Sequence, residues 1–288
     1  MFLKIIRLFC LLSFVYLSGH AWFRVRDGFS VRRIVYLPEQ KSHPDGEREA
    51  KISPFFDQPY YYMARGRQCY VFRSADDQVI IKIPRFDRYR LSNYLKAFSL
   101  PFKKLSLLDR TKRLTSLLES FRIAEEDFSD YTGVLYSHLN QTTTLPKKFV
   151  LYDRLHRSFS IDLNKTVFAI QKKHPLFVPL FLKELKEGNR EKAHEMLNSL
   201  LHVMKERGER RLFNKDAHFL KNYSWDGEKC IQIDIGSFYR DPAVPVSEVS
   251  PRSFYQGAWP LREWLSGLDA QFASQVEEDL RECWSIPK

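Results

Sequence analysis

Two aspartates and an asparagine in the stretch Arg211 to Phe238, RLFNKDAHFLKNYSWDGEKCIQIDIGSF, have the types and the spacing for phosphate chemistry. Asp216, Asn222 and Asp234 are its polar fixed points. Between the last two, Asp226-Gly227 is a hairpin signal, and Cys230 to Ile233 alternates as a short strand does. That pattern predicts a hairpin returning Asn222 and Asp234 to the same end. A carboxylate and an amide oxygen facing each other are hard ligands suited to a magnesium ion carrying nucleotide phosphates. A separate carboxylate, Asp216, can orient an attacking hydroxyl. The same residues also read as an ordinary surface hairpin, with Asp216 and Asp234 solvated or capping.

The elements that must hold such a site follow from periodicity. Tyr60 to Met63, Tyr70 to Arg73 and Gln78 to Ile83 are β-branched or aromatic and are separated by a Gly-containing turn and an Ala-Asp-Asp turn, which predicts three antiparallel strands. Lys82 projects from the third, within reach of a phosphate lying under the first turn. Leu105 to Phe128 reads as a helix, with Leu114, Leu117, Leu118 and Phe121 as its apolar stripe. From Thr132 to Gln171 four more strand-like runs alternate with turn-rich segments. Pro175 to Lys186 and Asn189 to Arg207 are helical, the second with Ala193, Met196, Leu197, Leu200, Leu201 and Met204 on one face and Gly208 as a stop. The basic run at 205–211 reads as a solvated helix end, and Gln271 to Trp284 as an amphipathic helix.

At 288 residues, 44% apolar and 15% aromatic, the chain has enough core for two lobes and is not of disordered composition. A net charge of +11 points to anionic partners; phosphorylated small molecules, an anionic membrane surface and nucleic acid all fit it, and charge alone does not choose among them, though no specific nucleic-acid motif is present. Cysteines 10, 69, 230 and 283 have no short paired spacing, so no disulfide framework or zinc site is implied. His194 and His202 read as a solvated edge.

Residues 1–23 read as a signal or membrane-anchor segment, with a buried helix or a misassigned start codon as the other readings: Lys4 and Arg7, then an apolar run from Leu8 to Phe23, with Gly19 and Ala21 near a potential cleavage point. This run of sixteen residues is shorter than the roughly 20 of a comfortable spanning helix. Arg24, Arg26, Arg32 and Arg33 outnumber Lys4 and Arg7, which favours a membrane-associated chain with its body on the cytosolic side; export after signal cleavage is the alternative. Residues 37–53, polar and charged with Pro38 and Pro44, read as a linker.

In NKDAHFLKN and the following Asp234-Ile235-Gly236 the chain resembles the protein-kinase-like superfamily, in particular compact, divergent bacterial phosphotransferases. The resemblance implies an α+β, two-lobed protein-kinase-like fold: an antiparallel β-sheet small lobe over residues 54–173 and a mainly helical, shortened large lobe over 174–288. It implies ATP and Mg2+ as cofactors, Asp216 as catalytic base, and Asn222 and Asp234 as magnesium ligands. Ala64-Arg65-Gly66-Arg67-Gln68-Cys69 stands as the phosphate loop, in which Gly66 alone keeps a glycine, and Ile80-Ile81-Lys82 as the strand-borne lysine motif. Glu119 is the expected ion-pair partner of Lys82, with Glu125 as the alternative, and Gln171 and Lys172 are the expected hinge facing adenine. Asn214-Lys215 stands where protein kinases carry His-Arg, and Asn222 follows Asp216 by six residues instead of five.

The fifty residues after Phe238 hold no Ala-Pro-Glu element, so the platform for peptide substrates is largely missing. The partners implied are a nucleotide and a hydroxyl acceptor that is a small molecule, sugar or envelope lipid before it is a peptide. The alternative, supported by the degenerate loop and the longer catalytic loop, is a catalytically inactive, pseudokinase-like binding module at a membrane.

Overall fold

β-Branched and aromatic residues at alternating positions build the sheet expected of the first half of the chain. The computed structural model describes residues 2–34, 46–89, 103–216, 218–244 and 260–284. Strands β1 (Tyr60–Arg65), β2 (Cys69–Ser74) and β3 (Val79–Pro84) form an antiparallel meander in which Tyr62 lies opposite Phe72 and Val71 opposite Lys82. With β4 (Val134–His138), β5 (Phe149–Tyr152), β6 (Ser158–Ile161) and β7 (Phe168–Lys172) they make a seven-stranded sheet of order β4-β7-β3-β2-β1-β5-β6. The sheet is mixed, not wholly antiparallel as expected. β5 returns after a long intervening helix and lies parallel to β1, Tyr60 beside Leu151, a direction that a tight hairpin cannot produce. The architecture is α+β.

The chain divides into two compact units, residues 1–107 with 138–170 and residues 108–137 with 171–288. The division falls within β4 and β7. A single boundary near residue 173 was expected; instead most of the helix Lys103–Glu126 groups with the second half of the chain, for a reason that lies in Ser120 and is described below.

In the first unit, pleating turns Ile81 and Ile83 to one face of β3 and Lys82 to the other. The face carrying Tyr62, Tyr70 and Phe72 is covered from the N-terminal side. Phe29 is buried there, its ring centroid 6.1 Å from Tyr62, 5.2 Å from Tyr70, 5.3 Å from Phe72 and 5.8 Å from Phe159. The Asp27-Gly28 turn before it is bonded to the sheet: the Tyr62 hydroxyl donates to Asp27 Oδ2 at 2.6 Å, Arg65 Nε lies 3.2 Å from Asp27 Oδ1, and the Tyr70 hydroxyl donates to the Gly28 carbonyl at 2.6 Å. Gly28 has φ +65°, and a Cβ there would sit 2.6 Å from the Phe23 ring. Only glycine tolerates both conditions.

This turn ends a helix, Phe2–Val25, of 24 residues. It exceeds the sixteen-residue apolar run because Lys4, Arg7 and Arg24 are also helical. Its stretch Lys4–Val25 is long and apolar enough to cross a membrane and is unburied. The polar stretch read as a linker is partly structured: Gly46–Ile52 is helical, Ser53–Phe56 is a 3-10 turn, and Ile52 and Phe56 are buried, Phe56 lying edge-on to Phe149 and Phe168. Residues 37–45 of that stretch lie outside the described residues.

In the second unit the helix Arg190–Glu209 buries the predicted stripe, Ala193 to Met204. Phe181, on the helix Phe177–Lys186, meets Trp264 at 5.8 Å and Phe272 at 6.1 Å, which docks the segment 260–266 and the helix Ala270–Trp284. The basic run at 205–211 is not a wholly solvated helix end: Arg207 is 1% exposed, its Nη1 donating to the Tyr223 hydroxyl at 3.1 Å and to Gln232 Oε1 at 3.2 Å.

His138 is buried, with Nδ1 2.7 Å from the Thr166 carbonyl oxygen, Nε2 3.1 Å from the Thr142 hydroxyl, and its ring stacked on Phe168. Burial lowers its pKa, more than the Thr166 carbonyl and nearby carboxylates raise it. A histidine kept neutral in the folded state contributes stability above its unfolded value of about 6.5 and loses it as pH falls through the folded value. The unfolding free energy of the full chain in detergent is therefore expected to decline as pH drops below about 6.5, and His138→Gln to flatten that decline. Phe29→Ala is expected to cost about 3–5 kcal/mol by denaturant unfolding with an unchanged slope, since it empties an aromatic box; a loss below about 1 kcal/mol on that scale would show that the N-terminal cover contributes little.

Candidate functional site

The stretch 211–238 folds as its turn residues dictate. β9 (Tyr223–Trp225) and β10 (Cys230–Gln232) pair antiparallel, Tyr223 opposite Gln232. The turn between them is closed by Asp226, whose Oδ1 accepts from the Glu228 and Lys229 amides at 2.9 and 2.7 Å. At the open end the Ile233 N–H donates to the Asn222 carbonyl at 2.8 Å, so Asn222 and Asp234 stand together where the hairpin begins and ends.

Asn222 also reaches the loop before it. Its Nδ2 donates to the Asp216 carbonyl at 3.0 Å. Within that loop Asn214 Oδ1 accepts from the Asp216 amide at 2.8 Å, and Asn214 belongs to β8 (Leu212–Asn214), which pairs with β11 (Phe238–Arg240). Asp216 is thereby held at both its amide and its carbonyl, and Asn222 through its side chain and its own carbonyl. Asp216 is exposed, Asn222 buried and Asp234 half-buried.

The free oxygens decide what this end of the hairpin can hold. Asn222 spends its Nδ2 on Asp216, which leaves Oδ1; Asp234 Oδ1 accepts from the Gly236 amide at 3.1 Å, which leaves Oδ2. An amide oxygen and a carboxylate oxygen are the donor set of a hard divalent cation, so these residues fit magnesium. Among the described residues no three His, Cys, Asp or Glu side chains gather into a cluster. A cation here would complete its shell with phosphate oxygens and water.

Ser120 holds the other side of the Asp234 turn. Fully buried on the helix Lys103–Glu126, its hydroxyl donates to the Ile235 carbonyl at 2.6 Å and accepts from the Phe238 amide at 2.7 Å. No motif marked Ser120; the one signal was a polar residue set among Leu117, Phe121 and Ala124 on the buried face of the helix. Glu119, next to it, points away: it is exposed and paired with Arg122 at 2.9 Å. Glu125 is half-buried, one turn beyond Phe121.

Gln171 and Lys172 lie at the end of β7. The Gln171 side chain is fully buried, its Nε2 donating to the Thr132 carbonyl at 2.6 Å, and the Lys172 amide donates to the Gly133 carbonyl at 2.9 Å. That amide is already engaged.

Gly66 and Lys82 belong to the first unit. The β1–β2 turn is tight, with the Gly66 N–H donating to the Cys69 carbonyl at 2.8 Å. It is braced from the far end of β3, where Arg85 Nη1 donates to the Gly66 carbonyl at 3.2 Å, the Arg85 amide to the Gln68 carbonyl at 2.8 Å, and Arg88 Nη1 to the Arg67 carbonyl at 2.9 Å. Arg85 and Arg88 were not anticipated, because their partners are main-chain carbonyls that carry no sequence signature. Lys82 is half-buried on the face of β3 away from Ile81 and Ile83.

Ser120→Ala removes the shared partner of two buried backbone groups and is expected to destabilise the chain by about 1–3 kcal/mol. Ser116→Ala on the same helix, where the hydroxyl accepts only from the exposed Lys215 ammonium at 3.2 Å, is expected to stay within about 0.5 kcal/mol of the parent. Denaturant unfolding of both variants checks this, and equal effects would deny Ser120 its clamping role.

No family model matches the chain, and no curated protein matches it. Solved structures superpose loosely. A medium-resolution structure of the bifunctional kinase-methyltransferase WbdD aligns with a TM-score of 0.36 at 15% identity, covering 77% of this chain and 44% of that one. A higher-resolution WbdD structure aligns with a TM-score of 0.37 at 14% identity, covering 79% and 46%. WbdD co-crystallised with the kinase inhibitor LY294002 aligns with a TM-score of 0.37 at 13% identity, also covering 79% and 46%. The chain spans less than half the length of these structures.

Proposed function

We propose that the chain is an ATP-dependent phosphotransferase of protein-kinase-like organisation, held at a membrane by its N-terminal helix with the body on the cytosolic side. The observation that carries the reading is the double tether of Asn222, through its side chain to the Asp216 carbonyl and through its own carbonyl to Ile233. The tether, in this reading, brings a base-like carboxylate, an amide oxygen and a second carboxylate to one end of a hairpin. In this reading Asn222 Oδ1 and Asp234 Oδ2 hold magnesium, which neutralises charge on the transferring phosphates. Asp216, exposed and with its backbone fixed on both sides, accepts the proton of the attacking hydroxyl. Lys82 binds the nucleotide phosphates, and Gly66 lets the β1–β2 turn lie over them. In this reading a glutamate of the helix Lys103–Glu126 orients Lys82, and Glu125 is the candidate, since Glu119 is exposed and paired with Arg122. Gln171 and Lys172 place adenine through the chain beside them and not through the Lys172 amide. The acceptor is a hydroxyl of a small molecule, sugar or envelope lipid, in keeping with the net charge of +11.

One observation favours the second reading, a nucleotide-silent binding module. The β1–β2 turn has its carbonyls held by Arg85 and Arg88 and its Gly66 amide held by Cys69. Fewer main-chain amides are then free for phosphates than a glycine-rich loop offers.

The two readings separate by ligand-linked stability. A ligand that binds only the folded chain stabilises it by about 2.7 kcal/mol at a hundredfold excess over its dissociation constant. Magnesium and ATP together are expected to raise the thermal midpoint of the full chain in detergent, with the shift abolished in Asp234→Asn and reduced in Lys82→Ala. A folded parent that shows no shift would set the enzyme reading aside and leave the binding module.

A further inference from the structure

We infer that the last turn of the N-terminal helix is built as a collar that docks the first unit against an anionic lipid leaflet. The inference rests on the membrane reading above and adds to it which lipid chemistry the body meets and through which residues.

The helix changes character within one turn. Its stretch Lys4–Val25 covers about 33 Å at 1.5 Å per residue, the thickness of a hydrocarbon core, and Phe9, Phe14 and Leu17 are among its exposed side chains. At its end the aromatic rings are boxed by guanidinium groups drawn from four separate parts of the first unit. Trp22 lies under Arg26 at 5.4 Å and Arg157 at 5.1 Å; Phe23 lies under Arg33 at 5.1 Å and Arg65 at 5.6 Å. Arg157 comes from the β5–β6 turn, Arg65 from the end of β1, Arg33 from the segment after the Gly28 turn and Arg26 from the helix end itself. Convergence of such distant positions on one helical turn is a built feature of the fold, not a run of basic sequence.

The charge is left in surplus. Asp27, Asp87 and Asp153 pair with Arg65, Arg33 and Arg157 at 3.2, 3.5 and 2.6 Å. Arg26 keeps a buried Nε without a partner, and Arg24 and Arg32 are exposed. Among the described residues no ion pair engages Arg24, Arg26 or Arg32, and Arg26 lies over the Trp22 ring. Aromatic residues settle at the headgroup level, and arginines beside them meet lipid phosphates as fork-shaped donors. A flexible tether would leave the body free of the leaflet. Here the Asp27-Gly28 turn is bonded to Tyr62, Arg65 and Tyr70, and Phe29 is buried in the sheet, so placing the helix in a bilayer also places the β1 end and the β5–β6 turn at its surface.

The test uses the full chain in nanodiscs of phosphatidylcholine alone and of the same lipid with a third replaced by phosphatidylglycerol. Hydrogen exchange is followed at amides 24–34 and 153–158. Each arginine near an anionic surface favours the docked state on the order of fivefold at moderate ionic strength. Exchange in both segments is expected to slow several-fold in the anionic discs, to recover at high salt because exposed charges are then screened, and to lose its lipid dependence in the double variant Arg24→Gln/Arg32→Gln. Both substitutions are at exposed positions, and unchanged exchange at β2 and β3 verifies the fold. Equal exchange in the two kinds of disc, with the chain incorporated, overturns the collar and leaves the anchor standing. Failure of the chain to enter either disc overturns both.

Discussion

The Ser120 hydroxyl, buried on the inner side of the helix Lys103–Glu126, takes the Phe238 N–H and gives its own proton to the Ile235 carbonyl. Both backbone groups are buried, so rotating the turn after Asp234 would leave two polar atoms unpaired in a dry environment, and that cost holds the turn in one conformation. The rest of the candidate site hangs on this fixed point. Asp234 leads into the clamped turn, Ile233 before it bonds Asn222, Asn222 bonds the Asp216 loop, and β8 at the base of that loop pairs with β11, which begins at the clamped Phe238. The chain of bonds closes on itself. A helix far away in sequence therefore sets the position of a carboxylate 114 residues later, and it does so through a side chain that takes no part in the proposed chemistry.

The first unit is organised by a different constraint, the need to cover an aromatic sheet face. Tyr62, Tyr70 and Phe72 present large rings on the same side of β1 and β2, and Phe29 packs against all three. The cover comes with the membrane-compatible helix attached. A stable sheet and a fixed exit angle from that helix are two results of one packing arrangement, since the Tyr70 and Tyr62 hydroxyls that bond the Asp27-Gly28 turn belong to the rings that Phe29 packs against. The arginine braces across the β1–β2 turn extend the same stiffness to the place where a nucleotide-binding loop is proposed.

Much of the fold was legible in the chain. Alternation marked β1 to β3, the apolar stripe from Ala193 to Met204 marked the long helix, and Asp226-Gly227 marked the hairpin that brings Asn222 to Asp234. These are local signals: a turn residue or a period of two or 3.6 acts within a few residues, and its outcome needs no partner from elsewhere. Where a residue's fate depended on what packs against it, the reading failed. Arg207 looked solvated in a basic run and is buried against Tyr223 and Gln232. Glu119 looked like the ion-pair residue of its helix, but the apolar stripe turns it outward to Arg122. Ile52 looked like the end of a linker and is core.

By itself the sequence determined which residue types were available for phosphate chemistry, their order, the helices and strands that carry them, and an apolar N-terminal segment followed by arginines. Only the tertiary structure decided that Ser120 holds the Asp234 turn, that the parallel β5 joins β1, that Phe29 closes the sheet, and that arginines 26, 33, 65 and 157 meet around Trp22 and Phe23. The difference is one of range. Backbone preference and hydrophobic period are properties of a short segment, whereas a hydrogen bond across 115 positions or a box of four guanidinium groups exists only once packing has brought its members together.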